Sequence, residues 1–395
     1  MEFIGVSNTD IFSATIQQGA QLETLANNAI SKGINLYMRQ DYEGAVREFR
    51  RSIGLAPNSS YSVDASSYMA NAYLAQGDTD GAIKTYEDAL KRNPQRDDIA
   101  ISLGNVHFSI EKYDEAAKAY EKAVKVWPSS GNHYALGQAY MNAGRYSKAD
   151  SEFNKVLRMD PDQPNGNYGL GLNFNKQGRQ EDALLQFKEA IRIDPKFYEG
   201  HAEMGYAHAD LGEMDEAQRI VDSLEHVAPD LADTLSRYMY KVDPPKFMFA
   251  YATSGFNYNM PWKTPLSALN GYLATPEAEK TFTMIFQFDK EMDRESVENV
   301  LNWGIGRSTQ SCPGQAYNFG RPTPDTEVTL PPFPKHVYYD KDNLSATVYF
   351  TVRQNAGGDG TLDPAHIEFK FSGEDAYGHK MDPKSDQFMG FSGVA

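Results

Sequence analysis

Disulfides and cysteine-based zinc sites are excluded at the outset, because Cys312 is the single cysteine in 395 residues. Its thiol reads as a buried or loop group. Long apolar runs are also missing. No stretch approaches the roughly 18 consecutive apolar residues that a membrane span needs, so membrane insertion is not expected. The opening segment, Met1 to Ala20, has no basic n-region and no apolar h-region, which argues against a Sec signal. The localisation expected is cytoplasmic by default, or the cell surface by a signal-less export route. Positive charge is scarce: 38 Lys+Arg stand against 54 Asp+Glu. The excess runs through the chain, with 25 basic against 36 acidic residues up to 243 and 13 against 18 beyond. Both parts therefore disfavour nucleic acid and anionic lipid as partners. Catalytic signatures are absent as well: no G-x-G-x-x-G, Walker A loop, H-E-x-x-H or G-x-S-x-G occurs. Neither an enzyme nor a cofactor nor a metal is expected.

What is present is a repeat. Prolines recur at Pro57, Pro94, Pro128, Pro161, Pro195 and Pro229, at steps of 37, 34, 33, 34 and 34. Twelve residues before each stands an alanine: Ala45, Ala82, Ala116, Ala149, Ala183 and Ala217. One helical turn after each alanine comes a large apolar side chain: Phe49, Tyr86, Tyr120, Phe153, Phe187 and Val221. Seventeen residues before each proline lies a glycine or a polar substitute: Gln40, Gly77, Glu111, Gly144, Gly178 and Gly212. The spacing predicts helical hairpins. A small residue in the first helix (Gly33, Ala70, Gly104, Gly137, Gly171, Gly205) admits the partner helix, and the glycine-type residue ends the first helix in the left-handed conformation. The alanine and the aromatic pack the second helix, and proline stops it. The 37-residue step implies a three-residue insertion near Asn58–Tyr61.

These residues resemble the tetratricopeptide-repeat (TPR) consensus over about Leu25 to Asp230. Leu103-Gly104, Tyr113, Ala116, Tyr120, Ala123 and Pro128 match well, as do Leu170-Gly171, Gly178, Ala183, Phe187, Ala190 and Pro195. The resemblance implies an α-solenoid whose concave wall holds a peptide or helix from another protein. Carried over by position, that wall comprises Asn71, Leu74, Asn105, Phe108, Tyr134, Gln138, Asn142, Tyr168, Asn175 and Tyr206. The set is polar but uncharged, with interleaved aromatics, and it lacks the Lys/Arg clamp of chaperone-binding members. Amides suit the backbone of an extended peptide, and aromatics supply contact area. His107, His133, His201 and His208 fall at aromatic positions of the repeats, where packing accounts for them.

After a capping helix reaching about Tyr240, Asp243-Pro244-Pro245 breaks the chain. The texture then becomes β. Phe282-Thr-Met-Ile-Phe-Gln-Phe288, Ala346-Thr-Val-Tyr-Phe-Thr-Val352 and Ile367-Glu-Phe-Lys-Phe371 alternate with period two, as half-buried antiparallel strands do. Asp340/Asp342 and Asp359/Asp363 read as turn residues rather than calcium ligands. Phe288-Asp-Lys-Glu-Met-Asp293 with Ser296-Val297, and the ending Asp375-Ala-Tyr-Gly378-His-Lys-Met381, resemble a bacterial immunoglobulin-like domain of surface-layer type. Ser308–Pro334 departs from that pattern as a long insertion, and 247–273 fits neither module. The organisation expected is an N-terminal arm at 1–21, a TPR solenoid with its capping helix at 22–242, and an immunoglobulin-like β-sandwich at 246–395. The arm carries Ile4, Val6, Ile11, Phe12 and Ile16 among polar residues. The function expected is a protein–protein interaction scaffold. The alternative is a structural subunit of a filament, sheath or envelope- or flagellum-associated assembly, self-associating as a homo-oligomer or polymer.

Overall fold

The helical half is built from pairs because each helix is too short to bury its apolar stripe alone. The computed structural model describes residues 8–253, 255–311, 314–390 and 393–394, the side chains at 8–16 and 393–394 excepted. Six hairpins follow one another: α1 (Asn8–Met38) with α2 (Tyr42–Leu55), α3 (Ser60–Ala75) with α4 (Thr79–Arg92), α5 (Asp97–Ser109) with α6 (Tyr113–Val126), α7 (Ser130–Asn142) with α8 (Tyr146–Met159), α9 (Asn165–Lys176) with α10 (Gln180–Ile193), and α11 (Tyr198–Asp210) with α12 (Met214–Leu224). The arm foreseen for the N-terminus is continuous with the first repeat from Asn8, within the 31-residue α1. Ile4, Val6 and Cys312 lie outside the described residues, as do the side chains of Ile11, Phe12 and Ile16. The insertion after Pro57 lengthens a helix rather than a loop: α3 has 16 residues, against 13 in α5 and α7.

Each first helix ends in the same way. Gln40, Gly77, Glu111, Gly144, Gly178 and Gly212 all have φ between 60° and 77°. The following residue donates its N–H to a carbonyl five residues back, as from Asp78 to Tyr73 (2.9 Å) and from Lys112 to His107 (2.9 Å). This is a Schellman closure, which satisfies carbonyls the helix end leaves open. A side chain at positive φ is strained, by roughly 1 kcal/mol for a non-glycine residue. Gln40→Gly and Glu111→Gly are therefore expected to raise stability by about 0.5 kcal/mol or more each. Thermal melts that fall for both variants would contradict this account.

The alanines and most of the aromatics meet in the helix pairs as their spacing required. All six alanines are fully buried, and Phe49, Phe153 and Phe187 are 0% exposed. A Cβ on Gly33, Gly104, Gly137 or Gly171 would fall within 2.7 Å of the aromatic sixteen residues later. The last repeat differs. Val221 is too small for that role, and Leu235 of α13 (Pro229–Val242) reaches Gly205 instead, its Cδ2 2.3 Å from where a Cβ would stand. The repeats divide into neighbouring apolar clusters, as stacked units do.

The first compact unit ends at Leu235 and the second begins at Ser236, so the division falls within α13. In the second unit the strands are β1 (Phe247–Ala252), β2 (Thr264–Pro265), β3 (Glu279–Phe288), β4 (Trp303–Arg307), β5 (His336–Asp340), β6 (Ser345–Arg353), β7 (Thr361–Leu362), β8 (Ile367–Phe371), β9 (Gln387–Met389) and β10 (Gly393–Val394). They form antiparallel sheets in the orders β1-β3-β6-β5 and β10-β9-β8-β4, with β2-β7 as a small third pair. The alternating residues Phe282, Met284, Phe286 and Phe288, with Val348 and Phe350, share one core with Trp303, Ile305, Phe369 and Phe371 of the other large sheet. Of the segment 247–273, β1 is an edge strand, and Phe256, Leu266, Leu269 and Leu273 enter that same core.

The long insertion at 308–334 is anchored through Asn318 and Glu327. Asn318, 1% exposed, donates its backbone N–H to Asp363 (2.8 Å) and its side-chain amide to Glu327 (2.9 Å), which also pairs with Arg307. Asp363 opens the short helical turn Pro364–His366, but it is also fully buried and holds His366 Nδ1 at 2.8 Å. Asp340 does serve its turn, accepting from the N–H groups of Asp342 and Asn343.

Candidate protein-binding face

The residues expected in the groove, Leu74 included, lie on the first helices of their hairpins, α3, α5, α7, α9 and α11. On α7, Tyr134, Gln138 and Asn142 recur every four residues and so share one face. Tyr134 and Tyr168 hold equivalent places in successive repeats. Their rings lean on the second-helix phenylalanines, 5.6 Å from Phe153 and 6.0 Å from Phe187. Tyr168 also meets the edge of Phe197 at 4.8 Å. Each tyrosine is thus half-buried with its ring fixed by packing.

Burial pushes the Tyr134 hydroxyl up to about 12, opposed by its hydrogen bond with Gln138. It raises Tyr168 too, with the carboxylate of Glu203 next in importance and Tyr134 and Glu199 contributing. Glu203 is itself pushed above the ordinary carboxylate range by burial, with Lys176 opposing. Tyr206 rises from burial and from Glu203. These mutual influences place Tyr134, Tyr168, Glu203 and Tyr206 in one electrostatic neighbourhood.

The amides divide. Asn105 Oδ1 accepts from the Tyr120 hydroxyl (2.7 Å), and Asn142 Nδ2 donates to the Gln138 carbonyl (2.9 Å), so each already holds an internal bond. Asn71 is exposed, whereas Asn175 Oδ1 is shut off from solvent without a hydrogen-bond partner. Phe108 packs edge-on to Tyr113 at 5.2 Å and belongs to the inter-helix packing. Leu74 is exposed. The tyrosines of the set therefore fall on α7, α9 and α11, while Asn71, Asn105 and Phe108 belong to α3 and α5.

Glu203 was not among the residues expected, since it falls between the consensus positions. The signal was available: Glu199, Glu203, Tyr206 and Asp210 follow at intervals of four, three and four along α11, a single helical stripe. The histidines vary. His133 is buried with Nδ1 2.6 Å from Glu152, His208 Nδ1 meets Glu213 at 2.6 Å, and His107 is made less basic by burial. Among the described residues no group of three His, Cys, Asp or Glu is placed to hold a metal ion. No described helix is long and apolar enough to cross a membrane.

Residues 20–238 match the family model for the C-terminal domain of cilia and flagella-associated protein 70. The small glutamine-rich tetratricopeptide repeat-containing protein 2 of Mycosarcoma maydis is 32% identical over 115 residues, covering 29% of this chain and 30% of that protein. Photosystem I assembly protein Ycf3 of Prochlorococcus marinus is 27% identical over 121 residues, covering 27% of this chain and 69% of Ycf3. The chain spans between 8% and 30% of the length of the first curated relatives it matches. Among solved structures, PilF of Pseudomonas aeruginosa covers 55% of this chain and 99% of its own, at 17% identity and a TM-score of 0.41. A tetratricopeptide repeat protein of Parabacteroides merdae covers 55% and 88%, at 14% identity and a TM-score of 0.47.

Proposed function

The chain belongs to the family of the cilia and flagella-associated protein 70 C-terminal domain, a TPR family, and we propose that it is a non-enzymatic scaffold that binds other proteins. The first-helix face holds a partner peptide or helix, centred on Tyr134, Tyr168 and Tyr206. The observation that carries this reading is the pair of equivalent tyrosines, half-buried and fixed by ring packing on successive repeats. Rigid aromatics contribute contact area at little entropic cost, and they dominate binding energy where they are central to an interface. Glu203 adds a carboxylate that a cationic or hydrogen-bonding group on the partner satisfies. The sheet domain, 246–395, is proposed as an immunoglobulin-like second contact surface. Met248, Phe249 and Tyr251, exposed on its edge strand β1, support that role.

Replacing Tyr134 and Tyr168 together by Ala is expected to cost about 2 kcal/mol or more in partner affinity, roughly thirtyfold. Replacing both by Phe retains the ring packing and is expected to retain most of the affinity. The measurement is affinity capture with wild type and both variants at low and high salt, with melts recorded for each. Equal retention of the same partners by the alanine variant sinks this reading.

A further inference from the structure

We propose that a pocket between the second and third repeats, away from the tyrosine face, binds a short acidic peptide segment of a partner protein. The pocket measures about 590 Å³ and is walled by α4, the loop after it, α5 and α6. That size falls within the range of roughly 300–1,000 Å³ typical of ligand sites. Leu90, Pro94, Leu103 and Val126 give it an apolar lining, and Lys91, Arg96, Lys122 and Lys125 bring four cations against the one carboxylate of Glu87.

Four cations around one pocket are unusual in a part of the chain that carries 25 basic and 36 acidic residues. Two of them are already neutralised. Lys91 pairs with Asp88 one turn earlier on α4 (3.0 Å), and Arg96 holds Asp98 through two nitrogens, at 2.8 and 2.6 Å. Lys122 and Lys125 have no carboxylate within ion-pair reach among the described residues.

The positions equivalent to Lys122 in α4, α8 and α10 carry no unpaired cation. In α4 and α10 the residue three before this terminal cation is acidic and pairs with it, Asp88 with Lys91 and Glu189 with Arg192 (2.8 Å). In α8 the same place holds Lys155, which is neutralised by Glu152 at 2.7 Å. In α6 it is Lys122, and no acid replaces the missing partner. Cations in a last helical turn are favoured by the helix dipole, which accounts for Lys125 but not for a second, like-charged lysine one turn earlier.

The charge left over calls for a carboxylate, and the lining calls for an apolar group beside it. An acidic peptide with alternating apolar residues supplies both. Extended polyanions are repelled by the surrounding acidic surface, so a compact anion fits better than nucleic acid.

The test uses the full chain and calorimetric titration with a blocked peptide, acetyl-Glu-Leu-Asp-Leu-Glu-amide. Wild type is expected to bind it at least tenfold more tightly than acetyl-Lys-Leu-Lys-Leu-Lys-amide, with affinity falling as salt rises. Lys122→Glu should weaken the acidic peptide by at least tenfold. The same variant restores the acid–base spacing of α4 and α10, so its melting temperature should equal or exceed that of wild type. The Tyr134/Tyr168 alanine variant should bind the peptide as wild type does, which separates this site from the tyrosine face. A version with a free C-terminal carboxylate tells whether side-chain or terminal carboxylates are preferred, and tighter binding of either form than of the basic peptide supports the site. No preference for the acidic peptide, or equal binding by Lys122→Glu, overturns the proposal. So does equal binding of acetyl-Glu-Gly-Asp-Gly-Glu-amide, which would mean attraction of any anion without use of the apolar lining.

Discussion

Gly171→Leu is expected to lower the stability of the repeat unit by about 3 kcal/mol, whereas Asn175→Ala one turn further on leaves it nearly unchanged. The difference is geometric. A Cβ at residue 171 would lie 2.4 Å from Phe187 Cε1, far inside van der Waals contact. Phe187 is 0% exposed and packs against Tyr168, so it has no vacant space to move into. Relief requires α9 and α10 to separate, with loss of the packing between them. Asn175 supports no such contact, and its buried Oδ1 has no hydrogen bond to lose. Chemical denaturation of the two variants, followed by helical circular dichroism, measures both. Equal midpoints would show that the helices are not in the register described.

Lys290→Met is expected to destabilise the sheet unit by a similar amount, about 3 kcal/mol. The Lys290 side chain is 2% exposed, and its ammonium donates to the backbone carbonyls of Tyr240 (2.6 Å) and Asp243. Asp375, whose side chain is 0% exposed, faces it at 3.8 Å. Burial holds the lysine below its ordinary pKa, with Asp375, Asp289 and Asp243 opposing that shift. Methionine fills the same volume but removes the donor and the charge. Two carbonyls then lose a bond, and Asp375 stays buried with the N–H groups of Tyr377 and His379 on Oδ1, the His379 ring at 3.6 Å, and no hydrogen bond to Oδ2. Adding Asp375→Asn should recover part of the loss, since the uncompensated carboxylate is gone. Tryptophan fluorescence follows this unit through Trp262 and Trp303, with Trp127→Phe as the background to silence the one tryptophan of the repeats. A single variant as stable as wild type would show that the ammonium contributes nothing there.

How much of this was legible in advance depends on the range of the interaction. The alanine–aromatic spacing, the left-handed residues at Gln40 and Glu111, and the alternation of Phe282 to Phe288 are local patterns. Helix geometry and strand pleat turn them directly into buried faces. Contacts between repeats are not local. Phe153 is met both by Gly137, its partner sixteen residues earlier, and by Gly169 of the next repeat, which no single-repeat pattern anticipates. Asp363 reads as a turn residue because aspartate is common in turns. Its bond to His366 is local, but Asn318 reaches it only through tertiary folding, as Lys290 reaches Asp375. At the candidate face, consensus positions placed Tyr134 and Tyr168 but offered amides whose bonds are partly spent internally, on Tyr120 for Asn105 and on Gln138 for Asn142.

The sequence by itself determined the repeat, its register, the residues that end each first helix and the alternation of the strands. Each of these follows from propensity and periodicity within a few turns of chain. Only the tertiary structure decided that Leu235 completes the last repeat, that Glu203 joins the tyrosines, that 308–334 is pinned by Asp363 and Arg307, and that Lys122 and Lys125 face a pocket without ion-pair partners of their own. These depend on which residues, distant in sequence, share a low-dielectric neighbourhood. Burial and pairing in that setting govern the energy of a charge, and neither is encoded in the spacing of residues along one helix.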